Sequence, residues 1–254
     1  MEYWIWLSIL PYIGAVSAGK LISVLKSPEN VYHSSEEELR KIEGLTTRQR
    51  KSILEHRELE EAKRIVKQCE KCKISLLPIE DPLYPERAKN CKDAPIILYY
   101  RGTIKRIDKA VGIVGARRCT QETKKVVADL AAAYVEKKTA VISGMAKGVD
   151  SYAHTACLKA GGYTVAVLAN GLDICYPNEH QKLKECIENE GLIISEYSPG
   201  VRPTKYAFPR RNRLISAWSD ELVVVAAGKG SGALITAEYS RQYERKVRFI
   251  SEEM

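Results

Sequence analysis

The chain of 254 residues carries 40 Lys+Arg against 32 Asp+Glu, a formal net charge of +8, with 45% hydrophobic and 28% charged residues. It is long enough for one large core, or one large and one small, and its bulk is not of disordered composition. No apolar run approaches the roughly 18 residues of a membrane span, and a surplus of +8 permits a nucleic-acid partner without establishing one. The opening MEYWIWLSILPYIG has no basic segment ahead of its apolar stretch and no small-residue cleavage site. It reads as a folded helix and not as a signal peptide. The seven cysteines are scattered and odd in number, which points to a reducing, cytoplasmic setting in which they sit as small buried hydrophobes.

Composition shifts near residue 75. Before it, Leu10-Pro11-Tyr12-Ile13-Gly14 and Ile42-Glu43-Gly44-Leu45 each form an apolar-X-Gly turn ahead of an amphipathic segment, at 15–25 and 46–54. This pattern suits a helix-hairpin-helix unit, whose helix starts can hold phosphate. The plainer reading, a helical hairpin packed on the larger domain, is preferred because no Lys/Arg cluster flanks the first copy. Residues 55–73 read as one charged helix with a stripe at Ala62, Ile65, Val66 and Cys69. A strand is expected at 74–77, an extended connector at Asp81-Pro82-Leu83-Tyr84-Pro85, and a strand at 96–100. From Ala110 short apolar runs alternate with amphipathic stretches, the rhythm of a parallel sheet covered by helices. Strands are expected at 110–114, 140–143, 164–168, 192–195, 222–226 and 247–250, most of them unbroken Val/Ile/Leu runs, as for strands buried on both faces. Helices are expected at 121–137, 149–160, 177–190, 212–218 and 232–243.

In such a sheet, ligands bind beyond the carboxyl ends of the strands. Five loops leave those ends. The first, Val111-Gly112-Ile113-Val114-Gly115-Ala116-Arg117-Arg118, puts Arg118 where a dinucleotide fingerprint needs its third glycine, and two guanidinium groups suit phosphate. The second, Ser143-Gly144-Met145-Ala146-Lys147-Gly148-Val149-Asp150, can form an anion nest but is not a Walker A loop. Asp150 reads as a helix-terminus residue and His154 as a packing residue. The third, Ala169-Asn170-Gly171-Leu172-Asp173 to Tyr176-Pro177, is a turn with a polar tip. The fourth, 196–213, is the longest: Arg202, Lys205, Arg210, Arg211 and Arg213 face no acid within 201–213, and Tyr206 and Phe208 lie among them. Cations for phosphates with rings for bases is the composition of a single-strand nucleic-acid groove. The fifth, Gly228-Lys229-Gly230-Ser231-Gly232-Ala233-Leu234-Ile235-Thr236, opens a helix with three glycines and a hydroxyl.

Together the loops define a phosphate-binding face without an evident nucleophile–base pair. Cys69-Glu70-Lys71-Cys72 is a lone C-x-x-C near Cys91 and without a histidine, so no metal site is expected.

The run VISGMAKGVDSYAHTACLKAGGYTVAVLANGLDICYP, followed by SEYSPG, FPRRNRLIS and GSGALITAEYS, resembles the DNA processing protein A family, also called Smf, over about residues 74–247. The F-P-x-R-N-R and S-G-x-L-I-T-A elements, after S-G-x-A-x-G-x-D, carry the resemblance. It implies an α/β fold: an extended Rossmann-like parallel sheet with helices on both faces at 74–254, preceded by a small all-helical SAM-like or helix-hairpin-helix domain at 1–73. It also implies single-stranded DNA as ligand, loading of the RecA recombinase in natural transformation or related recombination, and no enzymatic activity, cofactor or metal. By the family's motifs Gly115 and Arg117 fall on one element of the DNA pocket and Ser143, Gly144 and Lys147 on the next. Phe208, Arg211, Asn212 and Arg213 fall on a third, and Ser231, Gly232 and Thr236 on the last. Arg118, Lys205 and Arg210 join them from charge and position.

Two departures are visible. Gln242-Tyr243-Glu244-Arg245 lacks the glycine usual before the family's last strand. After Arg248-Phe249-Ile250-Ser251-Glu252-Glu253-Met254 the family continues with a segment that carries most of its dimer contacts, so a chain truncated at its C-terminal end is expected, with the homodimer in question. The competing class is a nucleotide-binding enzyme or sensor resembling the phosphoribohydrolases, which show a P-G-G-x-G-T loop with a catalytic Glu and Arg. Gly230-Ser231-Gly232-Ala233 holds no Glu, but Glu238 follows in the helix and keeps this alternative open.

Overall fold

The computed structural model describes residues 1–251, so the expected departure at Glu252-Glu253-Met254 lies outside the described residues. Six helices come first: α1 (Glu2–Ile9), α2 (Ala15–Leu25), α3 (Pro28–His33), α4 (Glu36–Arg40), α5 (Thr47–Glu55) and α6 (Glu60–Lys71). Ser35 with Glu38 and Thr46 with Gln49 form capping boxes that start α4 and α5. The single helix expected over 55–73 is broken. His56 ends α5, and the carbonyls freed by the break accept bonds from Trp6 Nε1 (to His56, 2.6 Å) and the Tyr32 hydroxyl (to Arg57, 2.6 Å). Two aromatic donors from α1 and α3 thus override a helical pattern, which local periodicity cannot reveal.

The remaining elements are β1 (Ser75–Pro78), α7 (Glu86–Lys89), β2 (Ile97–Gly102), β3 (Ala110–Gly115), α8 (Gln121–Glu136), β4 (Ala140–Ser143), α9 (Val149–Lys159), β5 (Thr164–Leu168), a 3₁₀ turn at Asn178–His180, α10 (Gln181–Glu190), β6 (Leu192–Ser195), α11 (Ala207–Ala217), β7 (Glu221–Val225), α12 (Gly232–Gln242) and β8 (Lys246–Ile250). They build one eight-stranded sheet in the order β1-β2-β6-β5-β4-β3-β7-β8. The strands from β6 to β8 are parallel, as expected, whereas β1 and β2 extend the sheet antiparallel beside β6. The connector expected to be extended at 81–85 is a series of turns whose Tyr84 is 1% exposed.

Alternation along the strands decides which helix meets which face. Val111 and Ile113 face α8 and α9 with Val127, Ala131, Ala153 and Cys157. Ala110 and Val114 face the other way, toward Leu214 and Ile215 of α11, Trp218 just after it, and Ala237 of α12. Ala166, Leu168 and Ile193 lie in one apolar cluster with Ile5, Trp6 and Leu21, so the N-terminal helices cover the sheet over β2, β6 and β5. The Arg101 guanidinium, which donates to the Cys72 carbonyl (2.6 Å) and to Glu188 (3.1 Å), ties the end of α6 to β2 and α10.

The helix expected at 212–218 begins five residues earlier, at Ala207, which moves Phe208, Arg210 and Arg211 from loop to helix. Pro209 sits in the first turn, where a proline removes no hydrogen bond, so it does not stop the helix.

Gly115 ends β3 where a Cβ would lie 2.0 Å from the Val225 carbonyl oxygen of β7. Gly115→Ala should therefore force the two strands apart at the sheet's carboxyl edge and lower unfolding free energy by about 1–3 kcal/mol, read by denaturant titration.

Candidate nucleic-acid interface

The chain runs outward from β3 through β4, β5 and β6, then returns to place β7 on the other side of β3. Loops on the two sides diverge there and leave a crevice at the carboxyl edge. A cleft of about 1020 Å³ occupies it, walled by the loops after β3, β4, β5 and β7 and by the start of α11.

Arg211 forms its floor. The side chain enters from α11 and donates to the carbonyls of Gly144 (2.7 Å) and Val167, and its Nε to Asn212 (3.1 Å). A Cβ on Gly144 would lie 2.7 Å from the guanidinium carbon, so glycine is what admits the arginine. Burial lowers the Arg211 pKa to about 10, while Asp150 and Tyr197 act in the opposite sense. It stays charged at neutral pH. Asp150 accepts the Gly144 N–H at 3.1 Å. Burial pushes its carboxyl up, opposed chiefly by Arg211 and by the N–H groups of Ala146 and Gly144. Ser143 is fully buried and gives its hydroxyl to the Ile113 carbonyl (2.6 Å), away from the cleft.

The rim is different. Arg117, Arg118 and Lys205 line the cleft, are exposed, and form no ion pair among the described residues. Lys147 is half tied to Glu179 in an exposed pair at 2.7 Å. Phe208 lines the wall with its ring 5.4 Å from that of Tyr176 and tilted by 45°. At the far wall are Gly230, Ser231, Gly232 and Thr236, where α12 begins. Thr236 is buried and its hydroxyl donates to the Gly232 carbonyl (3.4 Å), whereas the buried Ser231 hydroxyl has no partner among the described residues. Cleft-lining cations number five (Arg117, Arg118, Lys147, Lys205, Arg211) against one carboxylate, Asp150, among the described residues.

Of the residues singled out from sequence, the fold thus gathers Gly115, Arg117, Arg118, Gly144, Lys147, Lys205, Phe208, Arg211, Asn212, Ser231, Gly232 and Thr236 along one cleft. Arg210 and Arg213 lie off it. Both pair with Glu196, at 3.2 Å for Arg210, and Arg213 also reaches Asp93 at 3.8 Å. Helical spacing explains this: two residues on from Arg211 the side chain points to the opposite side of α11. Tyr206 is 74% exposed and stands outside the wall. Tyr176 and Asn170 were missed. Asn170 holds the third loop by donating to Gly171 and Ile174 carbonyls (2.9 Å each), and an aromatic before a proline was the available signal for Tyr176. Glu238 pairs with Arg241 at 3.5 Å and does not line the cleft. Among the described residues no group of three or more His, Cys, Asp and Glu gathers to hold a metal. No helix among them is long and apolar enough to cross a membrane. His154 is fully buried, with Nδ1 2.6 Å from the Thr164 hydroxyl, and burial lowers its pKa to about 3.

A mostly parallel Rossmann-like sheet whose switch point opens into a cationic, glycine-walled cleft places the chain among the α/β proteins of that class. The profile of a family described as DNA recombination-mediator protein A matches residues 75–254. Protein Smf of Synechocystis is 33% identical over 250 residues, 96% of this chain and 63% of that protein. DNA processing protein DprA of Streptococcus pneumoniae is 38% identical over 170 residues, 66% of this chain and 60% of that protein. The X-ray structure of the Streptococcus pneumoniae DNA processing protein A superposes with a TM-score of 0.80 at 30% identity, over 100% of this chain and 88% of that one. The Helicobacter pylori DNA processing protein A, described for its single-stranded DNA binding mode, gives 0.65 at 31% identity over 72% and 82%. The chain belongs to the DNA recombination-mediator protein A family. It spans less than two thirds of the length of these two curated relatives, 63% and 60%.

Two outcomes follow from this geometry. Arg213→Ala removes one of the two cations paired with Glu196, in a site where the Arg213 and Glu196 side chains are 6% exposed, and leaves Arg210 as the remaining partner. It should cost about 1–3 kcal/mol in denaturant titration, whereas Arg117→Ala should stay within about 0.5 kcal/mol of wild type. The depressed His154 pKa means that the unfolded chain takes up a proton first as pH falls below 6.5. Stability should be full above pH 6.5 and decline toward pH 3, with a slope of up to about 1.4 kcal/mol per pH unit from this group. The His154 imidazole should show no NMR titration between pH 8 and pH 5.

Proposed function

We propose that this chain binds single-stranded DNA across the cleft and acts as a recombination mediator, protecting the strand and passing it to a RecA-class recombinase, as in natural transformation. One observation carries the reading: unneutralised cations and an aromatic pair share one cleft, Arg117, Arg118 and Lys205 beside Tyr176 and Phe208. Cations attract phosphates whatever the sequence. A ring stacks on a base whose face is open only in a single strand. Family membership supports the reading, as does the Helicobacter pylori relative described as binding single-stranded DNA. Transfer to the recombinase, a cytoplasmic setting and assembly as a homodimer rest on the family alone.

The activity proposed is binding without catalysis. Asp150, the one cleft-lining carboxylate among the described residues, is engaged by the Gly144 N–H, and Glu238, which a nucleotide-cleaving enzyme of the competing class would need, lies off the cleft and pairs with Arg241. The reading calls on no cofactor or metal.

The experiment is fluorescence anisotropy with labelled oligo-dT and with duplex of equal length, at two salt concentrations. Single strands should bind at least about tenfold more tightly, the equivalent of one stacked base. Equal affinity for both forms overturns the reading. Arg117→Ala should lower the slope of log K against log[salt] by about 0.7.

A further inference from the structure

We propose that the single strand leaves the cleft over the first turns of α8 and α9, where Tyr152 and Lys124 form a second stacking platform outside the cleft; the inference rests on the DNA-binding reading above. β3 and β4 are neighbours in the sheet, so α8 and α9, which follow them, start side by side on the same edge. The loops before them touch: Val149 N–H donates to the Ala116 carbonyl (3.0 Å), and a Cβ on Gly148 would lie 2.6 Å from the Arg117 carbonyl carbon. Tyr152 N–H donates to Gly148 (3.1 Å). The Tyr152 ring is therefore rooted one helical turn from the backbone of Arg117, on the cleft wall.

That ring is not needed by the core. Val127, Ala131, Val149, Ala153 and Cys157 fill the space between α8, α9 and the sheet, while Tyr152 is 37% exposed with the Lys124 ammonium 5.5 Å from its centroid. Lys124 has no ion pair among the described residues. Glu122, the acid nearest it in sequence, is held low by hydrogen bonds to its own backbone N–H and to the Thr120 hydroxyl, so its carboxylate is engaged at the helix start. The segment before α11 carries the same pairing, with Tyr206 74% exposed and the Lys205 ammonium, which lines the cleft, 5.0 Å from its ring. Each pair offers a flat apolar face and a cation that forms no ion pair among the described residues, the combination that takes a base and its phosphate.

The test measures binding of oligo-dT of about 4 and about 16 nucleotides, the lower and upper range of a single-strand site, to wild type, Tyr152→Ala, Tyr152→Phe and Lys124→Ala. Thermal midpoints verify folding. Tyr152→Ala should weaken binding of the long oligonucleotide about fivefold or more and leave the short one unchanged, while Tyr152→Phe binds both as wild type. Lys124→Ala should lower the salt slope by about 0.7 for the long strand only. A long strand carrying 5-iodouracil near one end should photocrosslink to Tyr152. Unchanged affinity of Tyr152→Ala at both lengths overturns the proposal, because the strand then takes another route. An equal loss at both lengths also overturns it, since Tyr152 would then act on the cleft itself. Failure of wild type to bind either length overturns the DNA-binding reading and this inference with it.

Discussion

The carboxyl edge of the sheet is organised around one buried guanidinium. Arg211 joins the loop after β4 to the end of β5 through two carbonyls, and its charge is balanced at the same depth by Asp150 at the start of α9. A buried charge is tolerated only when its donors and its field are both satisfied. That requirement settles the conformation of its neighbours. Residue 144 must lack a side chain, and the first turn of α11 must lie across the strand ends. Asp150 must point inward and not cap its helix from outside. The cleft is the space left above this arrangement.

A second arginine cluster on the same helix has a different duty. Glu196, at the end of β6, is the partner of both Arg210 and Arg213, and Arg213 is buried with it. Beside Glu196 and Arg210 lie Ser8 of α1, Ile13 and Gly14 of the turn after it, and Ala15 and Ala18 of α2, together with Ile96 and Ile97. Charge on one side of α11 thus forms the cleft floor, and charge on the other joins the helix to the sheet and to the N-terminal helices. In composition all of these residues look alike.

That likeness sets the limit of what could be read from the chain. Unbroken Val/Ile/Leu runs located the parallel strands to within a residue or so, because strands buried on both faces leave no other pattern. Glycine placement located the loops of the cleft. Composition alone did not separate Arg211 from Arg213, since the distinction depends on which side of a helix faces the cleft, and that helix was read as beginning too late. The break between α5 and α6 was hidden for a similar reason: Trp6 and Tyr32, which hold it open, are some 50 and 25 residues away in sequence. The antiparallel pairing of β1 with β2 and of β2 with β6 is likewise a long-range matter that short apolar runs do not encode.

The contrast between a fixed floor and a free rim has a kinetic consequence. Arg211 is already held by its bonds to Gly144 and Val167, so on the proposed reading an approaching phosphate meets a charge fixed in place, and little conformational freedom is lost on contact. Arg117, Arg118 and Lys205 are exposed and form no ion pair among the described residues. Their field extends into solvent over roughly a Debye length, but each surrenders side-chain entropy when it closes on a ligand. On the proposed reading, rim cations govern how often an anionic chain is captured, and the floor governs how long it stays. Added salt slows arrival at such a cleft far more than it hastens departure.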